Sequence, residues 1–170
     1  MNPIERSFRT AAAGRRSPVY AENVVAASQP LAAQAGLQML KAGGNAVDAA
    51  LAAAIALTVV EPTGSGIGGD AFALVWDGQR LCGINGSGRS PRAWTPERFA
   101  GRMAMPELGW DTVTIPGGVS VWAALSERFG RLPFSTLFSP AIGYAENGFI
   151  VSSVVADLWA EAPERYRRFP

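Results

Sequence analysis

A chain of 170 residues with 48% hydrophobic and 17% charged content can bury a core as one domain and is too apolar for wholesale disorder. Fifteen basic against 14 acidic residues leave a net charge of +1, so composition makes no electrostatic case for a nucleic-acid partner. Histidine is absent and Cys82 is alone, which removes Ser-His-Asp and Cys-His machinery, histidine-ligated zinc, four-cysteine metal sites and an internal disulfide.

Residues 1–22 read as a mobile arm, charged in its first part, with Gly14 and Pro18 and no usable period. No apolar stretch follows its arginines, so a secretory leader is not expected. The longest apolar run, Ala49 to Val60, falls short of the about 20 residues that span a bilayer. A cytoplasmic protein with no membrane partner is the expectation.

Residues 23–27 are β-branched enough to predict a strand. Ser28 then caps a helix in which Pro30 occupies the first turn, where its missing N–H costs nothing. That helix runs to Lys41 and stops at Gly43-Gly44, the first glycine taking the left-handed cap. Asn45 caps a second helix with Asp48 in its first turn, and the AALAAAIALTVV that follows predicts burial on all sides. Glu61-Pro62 ends it.

Thr63 to Asp70 is a glycine-rich turn leading into a strand at 71–76. Asp77-Gly78 marks a hairpin, with the return strand at 80–84. Asn85 to Pro96 is loop, 112–115 a further strand, and Val119 to Phe129 a helix stopped by Gly130. Pro133 to Arg168 reads as mainly helical, broken at Gly143 and at Asn147-Gly148. The fold class is mixed α/β.

The glycine-rich turn is not a nucleotide loop, because it follows a helix and enters a strand, the reverse of the dinucleotide fingerprint. It also lacks the Gly-Lys-Ser/Thr of a phosphate loop. It is either a tight turn or the lining of a substrate pocket. Arg89, among small residues just beyond a strand, can present its fork to a carboxylate, against the plainer alternative of a solvated loop arginine. Asp48, Glu61 and Asp70 could cluster, although capping and turn chemistry explain each separately. Core packing is expected of Trp94, Trp110, Trp122 and Trp159, and an inert buried thiol of Cys82. No catalytic or metal-ligating residue and no cofactor is assigned.

Two long stretches carry more. VVAASQPLAAQAGLQMLKAGGNAVDAALAAAIALTVVEPTGSGIGGDAFALVWDG and VTIPGGVSVWAALSERFGRLPFSTLFSPAIGYAENGF hold GGNAVDAA, VVEP, SGIGG, IPGG and PAIGYAENGF in that order. In these the sequence resembles the γ-glutamyltranspeptidase family, including its acylase-like members. The resemblance implies a four-layer αββα N-terminal nucleophile hydrolase fold, incomplete in this chain, with 23–170 as the N-terminal segment of a large subunit. It implies a precursor that cuts itself and a new N-terminal threonine that attacks an amide carbonyl. Such a threonine needs no histidine, because its own α-amine relays the proton.

The family's nucleophile lies in a TTH-like sequence, and nothing similar occurs here. The expected partners are therefore a γ-glutamyl or related acyl amide substrate and a C-terminal small-subunit segment that supplies the threonine, with this chain inactive alone. A non-catalytic scaffold or binding module is the other class. In γ-glutamyl members a D-x-R-E-x-A-P motif carries the arginine that grips the substrate α-carboxylate. Aligning its proline with Pro91 puts Ser87 at that place and Arg89 two residues later. A local loop shift would bring Arg89 into the role.

Overall fold

Capping chemistry sets the first two helices in the computed structural model, which describes residues 18–169. Residues 1–17, which hold most of the expected arm, lie outside the described residues; 18–22 are exposed and irregular. Helix α1 spans Pro30–Lys41, and Gln29, not Ser28, caps it: the buried Gln29 amide oxygen accepts from the N–H groups of Leu31 and Ala32. The longer glutamine side chain reaches these donors from within the packed interior, whereas Ser28 is exposed. Gly43 takes φ +88° just past the helix end, a conformation costly for a residue with a Cβ.

Helix α2 spans Ala46–Val60 and opens on a reciprocal capping box. Asn45 Oδ1 accepts from Val47 and Asp48 N–H, and Asp48 Oδ2 accepts from Asn45 N–H at 2.8 Å. Asp48 is fully buried, and its carboxylate also accepts from the backbone N–H of Arg131 at 3.1 Å. Asn45 Nδ2 donates to Phe129 O at 2.6 Å. These two side chains pin the start of α2 to the end of α3, Gly118–Phe129.

The core gathers around α2. Leu51 and Ile55 pack with Met39, Val121, Trp122, Leu125, Leu137 and Ala141, while Ala56 and Val60 close against Ala32 and Ala35 of α1. A 3-10 turn at Phe134–Phe138 leads into α4, Ser139–Asn147; α5, Ser153–Ala160, and the short α6, Ala162–Arg165, follow. Burial of α2 is less complete than its composition predicts. Ala46 and Ala50 are exposed and open onto a cleft of about 530 Å³ between α2, α3 and the hairpin.

That hairpin is β1, Ala71–Trp76, and β2, Leu81–Gly86, antiparallel with Ala71 opposite Gly86 and Trp76 opposite Leu81. Asp77 closes its turn by accepting from the N–H groups of Gln79 and Arg80. Ala71, Ala73, Val75 and Ile84 face inward and pack on the core. Phe72, Leu74, Trp76 and Leu81 face out, at 64–76% exposure. Both faces of the hairpin are thus apolar, where a sheet with one solvated face usually alternates apolar-in with polar-out.

The strands predicted at 23–27 and 112–115 do not form. A strand exists only through a paired backbone, and neither segment finds a ladder partner among the described residues; Trp110–Thr112 is a 3-10 turn instead. The return strand runs 81–86 rather than 80–84 because Arg80 belongs to the Asp77 turn. Gly143 does not break α4, since an interior glycine costs only about 1 kcal/mol, whereas Gly148 does end it. Of the four tryptophans expected in the core only Trp122 is buried; Trp94 is half-buried, and Trp110 and Trp159 are more than half exposed. Among the described residues no helix is long and apolar enough to cross a membrane.

Candidate functional site

Three loops meet where the hairpin ends, and backbone and side-chain hydrogen bonds hold them together. Gly69 O, at the close of the glycine-rich turn, accepts from Gly117 N–H at 3.2 Å and Gly118 N–H at 2.9 Å. Arg89 O accepts from Ile115 N–H at 2.9 Å. Asp70 Oδ1 accepts from Gly88 N–H at 3.0 Å, and Asn85 Oδ1 accepts from Ser87 N–H at 2.9 Å. The segment predicted as a strand at 112–115 thus serves as one wall of this junction.

Contact is close enough to exclude side chains. A Cβ on Gly88 would lie 2.0 Å from Ile115 O, and one on Gly117 would lie 2.1 Å from Gly86 O. Real Cβ atoms do not approach oxygens so closely, so glycine is required for the loops to touch. The requirement falls on Gly88 and Gly117 and not on the SGIGG turn itself, where a Cβ on Gly66 or Gly68 would meet nothing within 4 Å; that turn borders the Arg89 loop through Asp70.

Arg89 leaves this junction with an exposed side chain that has no hydrogen bond or ion pair among the described residues. Its donors are available to a ligand. Asp48, Glu61 and Asp70 do not assemble: Asp48 is committed to the α2–α3 clamp, and no group of three potential metal ligands occurs among the described residues. Cys82 is buried, with Arg128 Nη2 at 3.7 Å from its sulfur.

A second polar cluster escaped the sequence reading. Asp111 accepts from Arg98 at 2.7 Å and from Arg102 at 2.8 Å, and these arginines stack on Trp94 and Phe99. Hydrogen bonds from Arg98 first, then Arg102, hold the Asp111 carboxyl below the usual aspartate range. The partners lie 9 and 13 residues away, beyond any helical or strand spacing.

The arrangement is a glycine-walled junction presenting a guanidinium that has no partner among the described residues, carried on helices packed against a two-stranded sheet. Residues 32–170 match the family profile of Gamma-glutamyltranspeptidase, and the chain belongs to that family. It is 40% identical over 141 residues to a glutathione hydrolase-like proenzyme of Bacillus subtilis, covering 81% of this chain and 27% of that protein. Among solved structures, it superposes on the γ-glutamyltranspeptidase of Helicobacter pylori with TM-score 0.82 and 31% identity, over 91% of this chain and 46% of that one. Cephalosporin acylase from Bacillus halodurans gives TM-score 0.77 and 47% identity, over 92% and 31%. The chain therefore carries part of the αββα N-terminal nucleophile hydrolase fold and spans about a quarter of the curated relative's length.

Proposed function

We propose that these residues form the N-terminal scaffold and one pocket wall of an enzyme that cleaves γ-glutamyl or related acyl amides. The observation that carries this reading is Arg89, without a side-chain partner among the described residues and held at a junction built from the family's own SGIGG and IPGG segments. The guanidinium would take the substrate's carboxylate through paired N–H donors, fixing the acyl group for attack.

The attacking hydroxyl belongs to an N-terminal threonine on polypeptide outside these residues. Its α-amine accepts the hydroxyl proton as the C–O bond forms, and the C–N bond of the tetrahedral intermediate then breaks with that proton going to the leaving amine. Water opens the resulting ester in hydrolysis; a second amine does so in transfer. The partner that brings the threonine also has an obvious landing place in the bulky outer hairpin face, which no described residue covers.

Arg89→Ala in the complete enzyme tests the reading. Loss of a charge-assisted fork costs about 1.5–3 kcal/mol, so KM for γ-glutamyl-p-nitroanilide should rise about tenfold or more with kcat little changed. An unaltered KM would eliminate Arg89 as the carboxylate contact.

A further inference from the structure

Among the described residues the Arg89 side chain has no partner to hold it, so its position depends on the backbone of its loop. Two bonds anchor that loop at Gly88 and Arg89. The Arg89 carbonyl is tied to Ile115 by backbone alone, a bond no substitution of Ile115 other than proline removes. The other anchor is a side chain: Asp70 Oδ1 receives the Gly88 N–H at 3.0 Å, across 18 residues of sequence. Asp70 sits at the end of the SGIGG turn, whose Gly69 carbonyl is itself fixed by the N–H groups of Gly117 and Gly118. A rigid turn therefore aims one carboxylate at the residue preceding the arginine.

From this we infer that Asp70 is a positioning residue for Arg89 and so determines selectivity for substrates that carry a carboxylate; the inference rests on the reading of Arg89 as the carboxylate contact. Asp70 and Arg89 form no ion pair, so the carboxylate holds the loop without consuming the guanidinium. Asp70 touches no reacting atom in this account. Without its acceptor the Gly88 N–H turns to water and the loop samples other positions, which weakens carboxylate capture and leaves the chemical step alone.

The test is carried out in the complete enzyme with two anilides that differ at one group. γ-Glutamyl-p-nitroanilide has the α-carboxylate; 4-aminobutyryl-p-nitroanilide has a hydrogen in its place. Asp70→Ala should raise KM for the first by about tenfold, the scale of one lost charge-assisted hydrogen bond. Its kcat should stay within about twofold, and kcat/KM for the second should be unchanged. Asp70→Asn keeps an acceptor oxygen and should restore most of the loss.

Equal losses on both substrates, or no loss on either, would overturn the positioning role. So would failure of Asp70→Asn to recover what Asp70→Ala loses. Arg89→Ala separates the two claims. If it raises KM selectively while Asp70→Ala does nothing, only the Asp70 inference falls. If Arg89→Ala itself leaves the γ-glutamyl KM unchanged, the carboxylate reading falls and takes the inference with it.

Discussion

Replacing Asp48 by alanine removes the acceptor that two distant pieces of backbone share. In the folded chain its carboxylate is fully buried and takes N–H bonds from Asn45 at 2.8 Å and Arg131 at 3.1 Å, with Leu132 further off at 3.4 Å. A hydrogen bond to a charged group is worth about 1.5–3 kcal/mol, and an orphaned buried donor costs a comparable amount. Two good bonds lost, less some recovery as water reaches the 130–132 segment, give a destabilisation of about 3–5 kcal/mol. Against a typical total of about 5–15 kcal/mol that is a large fraction. Urea unfolding of the complete protein, followed by circular dichroism, should show the midpoint fall with little change in slope. Asp48→Asn retains one acceptor oxygen but turns an NH₂ toward the same donors, so it should lose an intermediate amount. Asp157→Ala, at an exposed position whose side chain makes no hydrogen bond among the described residues, should stay within about 0.5 kcal/mol. An Asp48→Ala protein within about 1 kcal/mol of the parent would refute the clamp.

The outer hairpin face should make the purified 170-residue chain self-associate, because Phe72, Leu74, Trp76 and Leu81 present continuous apolar surface beside open strand edges. Sedimentation of a Leu74→Thr/Trp76→Thr double variant should shift toward monomer; a parent chain already monomeric would contradict this. At Asp111 the arginine bonds depress the carboxyl, so any stabilisation they give is fully present above the ordinary aspartate range and disappears as pH falls through the lowered value. NMR titration should find the Asp111 midpoint below that range, and Arg98→Gln should move it upward; an unmoved midpoint would discount the Arg98 contribution.

Local chemistry makes much of the helical layer legible in the sequence. Pro30, Gly43, Asn45 with Asp48, and Glu61-Pro62 act on their immediate neighbours, so α1 and α2 fall where those residues dictate. Asp77-Gly78 after the 71–76 run likewise announced the hairpin. Residues 23–27 and 112–115 went astray because strand propensity describes a side chain, while a strand requires a partner backbone. Asp48 was legible as a cap, but its reach to Arg131 spans 83 residues and leaves no local trace. Arg89 stood out through its setting among small residues. Asp70 did not, because turn chemistry already explained an aspartate before a strand, and only the fold brings it to Gly88. The exposed Trp110 and Trp159 show that hydrophobicity fixes which residues seek cover, not which element supplies it.

Amide turnover by residues 1–170 alone, freed of every other polypeptide and compared with the complete enzyme on γ-glutamyl-p-nitroanilide, is the most direct measurement. A wall without its attacking threonine predicts p-nitroaniline release only from the complete enzyme. Release by the purified chain at a rate approaching that enzyme's would mean the nucleophile lies within these residues and would contradict the account.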